Sequence, residues 1–110
     1  MNQTESFAFL EKLWETIIER TKKSTPEDSY VVNLLSQGIE ECARKLGEES
    51  IETVIASLQK DNKNETIKES ADLLFHLLVL WKAKGISPNV VMEELKRREN
   101  VSGFEEKKNR

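Results

Sequence analysis

The sequence predicts an all-α protein, a bundle of four to five helices, on two observations. Apolar residues recur three and four positions apart through most of the chain, and no alternating apolar and polar pattern of useful length suggests a strand. The 110 residues carry 37% hydrophobic and 34% charged side chains, the balance of a folded chain with a heavily charged surface. That length suits one domain, spanning residues 1–110, with no room for a second core.

Phe7, Leu10, Trp14, Ile17 and Ile18 form the first stripe and predict a helix from about Ser6 to Thr21. Lys22 to Ser29 is polar and contains Pro26, so it reads as a loop. From Tyr30 the residues Val31, Leu34, Leu35, Ile39, Ala43 and Leu46 predict a short helix and then a longer one, weakened at Gly38 and Gly47. Ile51, Val54, Ile55 and Leu58 continue the pattern up to a corner at Asp61 to Asn64. The next helix, through Ile67, Ala71, Leu74, Leu78 and Trp81, is apolar nearly all round and ends at a Gly85 cap. Ser87 and Pro88 open a last helix with Val90, Val91 and Leu95, and the tail beyond Asn100 reads as irregular. So much apolar surface in a thin bundle implies completion by dimerisation, as a homodimer.

Several classes are excluded. A net charge of −3 without a long basic run speaks against nucleic acid as a partner. No apolar stretch approaches the ~20 residues of a membrane span, and Met1 to Phe9 does not resemble a targeting segment. The single Cys42 reads as a buried small hydrophobe, and its isolation suits a reducing, cytoplasmic setting.

Chemistry concentrates in two acidic clusters, Glu48, Glu49 and Glu52, then Glu69 and Asp72. Residues three apart share a helix face, and two helices joined at the Asp61 to Asn64 corner run antiparallel, which brings both clusters to one level. Half-buried like charges need compensation, and a hard divalent cation, Mg2+ with Mn2+ as a substitute, provides it while leaving room for phosphate oxygens. The bland alternative is a solvated acidic face, which helical spacing alone also fits.

In order, Glu48-Glu49-x-x-Glu52 and Glu69-x-x-Asp72 resemble the EExxE and ExxD pattern of the all-alpha nucleoside triphosphate pyrophosphatases, the superfamily that includes MazG-type proteins. Within it the chain resembles the phosphoribosyl-ATP pyrophosphohydrolases from Leu10 to Arg110. The marks are Ile18-Glu19-Arg20, Asp28-Ser29-Tyr30, Arg44-Lys45-Leu46-Gly47-Glu48-Glu49, the run Ala71 to Leu80, and Ser102-Gly103-Phe104-Glu105-Glu106-Lys107. Phe75, Val31 and Leu46 stand where the family commonly has Tyr, Thr and Val, and none of these changes touches a carboxylate.

The resemblance implies a MazG-like bundle that hydrolyses phosphoribosyl-ATP to phosphoribosyl-AMP and pyrophosphate, the second step of histidine biosynthesis. It implies magnesium ligands at Glu49, Glu52, Glu69 and Asp72, with Glu48 a further ligand or the base for the attacking water. Glu48, Glu49 and Glu52 are thus the catalytic candidates. Arg20, Tyr30, Lys45, His76, Arg97 and Lys107, with Arg98, are candidates for holding the substrate; for each basic residue a solvated surface role is the alternative, and for His76 and Tyr30 it is packing. Two other functions stay open: a MazG-like house-cleaning pyrophosphatase, and a non-enzymatic helical dimer. The chain is too short to carry a fused cyclohydrolase and is expected to be monofunctional.

Overall fold

The computed structural model describes residues 1–110 and is all-α: α1 (Gln3–Lys23), α2 (Tyr30–Ser36), α3 (Ile39–Ser57), α4 (Lys63–Lys84), α5 (Pro88–Arg97) and α6 (Gly103–Lys108), with one 3-10 turn at Arg98–Asn100. Six helices replace the expected four to five, and the sixth falls in the tail that had read as irregular. Ser102 starts it by accepting a hydrogen bond from the Glu105 amide at 3.1 Å. Glu105 and Glu106 lie in its first turn and Lys107 and Lys108 in its last, matching the helix dipole at both ends.

α1 also begins earlier than its apolar stripe. Asn2 and Glu5 form a reciprocal capping box, at 2.9 and 3.1 Å, which nucleates the helix ahead of Phe7. Gly38 separates α2 from α3 with a φ of 95° and ψ of 171°, a backbone open essentially to glycine alone. Gly47, by contrast, is carried through inside α3. The corner between α3 and α4 is tighter than expected: Asn62 caps α4 from the Glu65 amide, so Lys63 and Asn64 are already helical. Gly85 closes α4 in the left-handed region as expected, and Pro88 occupies the first turn of α5.

α3 and α4 pair more extensively than any other helices, and α1 and α2 cover one side of that hairpin. The core is small: Ile17, Val31, Leu34, Cys42, Leu78 and Val79, with Trp14, Phe75 and Trp81 packed against it. The Cys42 thiol reaches the Leu34 carbonyl and is pushed up from its ordinary pKa by burial, consistent with an inert packing role. Only nine of 110 residues are buried. The radius of gyration is 16.0 Å, where a compact chain of this length has about 13 Å. Much of the apolar stripe of α3 stays in solvent, with Ile51, Val54, Ile55 and Leu58 all more than half exposed, and on α4 Ile67 joins them. No helix is long and apolar enough to cross a membrane.

Candidate metal centre

Two helices joined by a short corner run back along each other, and Thr53 sets their register. Its Oγ lies 2.7 Å from the Glu49 carbonyl and 3.1 Å from the Glu69 carbonyl, sharing one hydroxyl hydrogen between α3 and α4. Thr53 escaped notice in the sequence because a threonine inside a helix carries no distinctive spacing. With 53 beside 69, residue 49 falls beside 72, and the two acidic clusters meet as antiparallel pairing required.

One carboxylate oxygen from each of Glu49, Glu69 and Asp72 lies within 4.8 Å of the others. Oε2 of Glu49 and Oε2 of Glu69 are shielded from solvent and have no hydrogen-bond partner. Burial, then Glu52 and Asp72, push the Glu49 carboxyl above the ordinary range; the same causes, with Glu49 added, push Glu69 up. Glu52 is exposed and adds to both shifts after burial. Such oxygens are costly to leave bare. A donor set made only of carboxylate oxygens fits a hard divalent cation such as magnesium better than a soft metal.

Glu48 is not brought into this group. Arg44 pairs with it, and Lys45 reaches its other oxygen at 3.3 Å. Arg44 also grips Glu41, so the three form a ladder along α3. Lys45 is half-buried and its pKa is raised, first by the hydrogen bond to Glu48 and next by the nearby Tyr30 hydroxyl.

His76 is buried, and neither of its ring nitrogens bonds a carboxylate. Its Nδ1 lies 2.8 Å from the backbone carbonyl of Asp72, and its Nε2 lies 3.3 Å from the Tyr30 hydroxyl. Tyr30 is 54% exposed and stacks on Phe75 with centroids 6.1 Å apart and an interplanar angle of 21°. The cationic candidates at the chain's end lie apart from the acidic cluster in the pattern of contacts they make. Arg97 binds Glu94 at 2.7 Å and Glu106 at 2.8 Å, and Arg98 binds Glu94 at 3.1 Å, clasping α6 to α5. Those guanidinium groups hold Glu94 down to about 2. Arg20, in the last turn of α1, and Lys107, in α6, are exposed.

A family model described as phosphoribosyl-ATP pyrophosphohydrolase matches residues 10–99. A phosphoribosyl-ATP pyrophosphatase of Paramagnetospirillum magneticum is 46% identical over 101 residues, 92% of this chain and 91% of that protein. One from Zymomonas mobilis is 50% identical over 93 residues, 84% of this chain and 86% of its own. Another, from Erythrobacter litoralis, is 46% identical over 101 residues, 92% and 95% of the two chains.

Proposed function

Since the chain belongs to the phosphoribosyl-ATP pyrophosphohydrolase family, we infer that it hydrolyses phosphoribosyl-ATP to phosphoribosyl-AMP and pyrophosphate, in histidine biosynthesis, and we propose that the carboxylates between α3 and α4 are its active site. The reaction cleaves an acid anhydride between the α and β phosphates. The observation that supports this location is the pair of shielded, unpartnered oxygens on Glu49 and Glu69, two members of the carboxylate cluster completed by Asp72.

Glu49, Glu52, Glu69 and Asp72 would hold magnesium, or manganese in its place. Bound there, the ion supplies positive charge against that developing on the phosphate oxygens. Glu48, standing beside that set between Arg44 and Lys45, takes the proton of the attacking water or helps to orient it. Lys45 is the basic residue best placed for a phosphate. Arg20, Arg97 and Lys107 serve the ribosyl phosphate arm, and Arg97 must trade one of its carboxylate partners to do so.

The exposed apolar stripe of α3 supports a homodimer. A cytoplasmic setting, with neither nucleic acid nor membrane as partner, accords with the chain's net charge of −3 and lone cysteine.

The test is pyrophosphate release from phosphoribosyl-ATP beside ATP and dUTP, with and without magnesium, for wild type and Glu52→Gln. Release selective for phosphoribosyl-ATP, dependent on magnesium and lost in Glu52→Gln, is expected. Release from ATP or dUTP instead transfers the chain to a house-cleaning role, and release undiminished by Glu52→Gln moves the site elsewhere.

A further inference from the structure

We propose that Tyr30 is the platform on which the purine base of the substrate stacks, and that His76 is the positioning residue that holds the ring there. The proposal rests on the reaction and site inferred above.

A tyrosine packed for stability alone buries its ring and leaves the hydroxyl at the surface. Tyr30 combines an exposed side chain with an anchored hydroxyl. Its hydroxyl is turned inward to the buried His76, at 3.3 Å, while the residue as a whole is 54% exposed. Phe75 supports one side of the ring. The ring nitrogen of His76 that lies 2.8 Å from the Asp72 carbonyl carries the proton, since a carbonyl can only accept. In the neutral ring the other nitrogen then accepts, and the Tyr30 hydroxyl donates to it.

The backbone beneath Tyr30 is equally fixed. Ser29 is buried and caps α2, and Asn33 reaches back to the Pro26 carbonyl at 3.2 Å. Asp28 and Ser29 both donate their amides to the Thr25 carbonyl, at 3.1 and 3.0 Å. A side chain on so constrained a support loses little further freedom when a ligand settles on it.

Position completes the case. His76 and Phe75 lie one turn of α4 beyond Asp72, about 5.4 Å along the axis. That is a separation of the kind a ribose puts between an α-phosphate and its base. Lys45 links the two places, since it bonds Glu48 at 3.3 Å and also lies near the Tyr30 hydroxyl, and stacking on an aromatic face suits any purine.

Steady-state kinetics on phosphoribosyl-ATP with magnesium test this in the full chain. Tyr30→Ala should raise KM about tenfold and leave kcat nearly unchanged. Tyr30→Phe, which removes only the hydroxyl, and His76→Asn, which keeps a donor for the Asp72 carbonyl, should each raise KM about fivefold. The double variant should be no worse than either single one, because both remove the same hydrogen bond. An unchanged KM in Tyr30→Ala, additive effects in the double variant, or a fall in kcat of equal size overturns the proposal.

A readout independent of turnover uses Tyr30 as the chain's one tyrosine. Its ring protons should shift upfield on titration with adenosine monophosphate, with affinity about fivefold weaker in Tyr30→Phe, read there from the ring at position 30 after its assignment among the chain's four other phenylalanines. Absence of any shift in wild type overturns the platform even if phosphoribosyl-ATP is hydrolysed. A clear shift without that hydrolysis upholds it while removing the reaction assigned above.

Discussion

Glu49 and Glu69 each hold an oxygen out of water beside other carboxylates, and this sets how stability varies with pH. Burial and neighbouring charge favour their protonated forms in the folded chain, so both titrate above their ordinary value. Their contribution to stability is therefore complete below the ordinary carboxylate range and is lost as pH rises through the raised values. We expect metal-free Glu69→Gln to melt above wild type at pH 7, and calorimetry to show that difference vanishing near pH 4. The same substitution should lower pyrophosphate release on the order of 100-fold or more. Glu94 has the opposite sign: Arg97 and Arg98 hold it at about 2, so its contribution is present above the ordinary range and is lost as pH falls toward 2. That Glu49, Glu69 and Asp72 meet between α3 and α4 was legible in the sequence, because i, i+3 spacing converts directly into a shared helix face. His76 was legible only as to its side of α4. Spacing places it below Asp72, but its ring nitrogens bond the Asp72 carbonyl and, from another helix, the Tyr30 hydroxyl, and neither bonds a carboxylate.

Among the elements, the glycine before α3 and the one inside it make opposite predictions. A Cβ on Gly38 meets nothing within 4 Å, yet its φ of 95° strains any other residue. Gly38→Ala should therefore cost about 1–3 kcal/mol in chemical denaturation. Gly47 has the same open surroundings inside a regular helix, so Gly47→Ala should add about 0.5–1 kcal/mol. α6 is attached chiefly by the Arg97 and Glu106 pair and has no buried residue. Ser102→Ala removes its cap, and we expect faster amide exchange across α6, by an opening free energy of about 1 kcal/mol, with an unchanged global melt. Helix interiors could be read from apolar periodicity, but ends could not where polar caps lie outside the stripe. Asn2 with Glu5, and Ser102 with Glu105, add turns that no hydrophobic pattern marks.

For the molecule as a whole, a small core and a 16.0 Å radius of gyration go with an apolar face on α3 that the chain itself does not cover. We expect sedimentation to give a homodimer, and Ile55→Glu, on that face, to shift it to monomer and make the melt lower and independent of concentration. The all-α class and the α3–α4 hairpin were legible from spacing and corner residues. Which apolar residues remain outside was not, since periodicity marks a stripe without saying what packs on it.

The cation site is tested most directly by calorimetric titration of magnesium into metal-free wild type and Glu69→Gln, in buffers that differ in their heat of protonation. We expect wild type to bind and to release protons as the raised carboxylates ionise, and Glu69→Gln to bind far more weakly with less proton release. Equal binding by both proteins, or no binding by either with or without phosphoribosyl-ATP, would contradict a metal centre between α3 and α4.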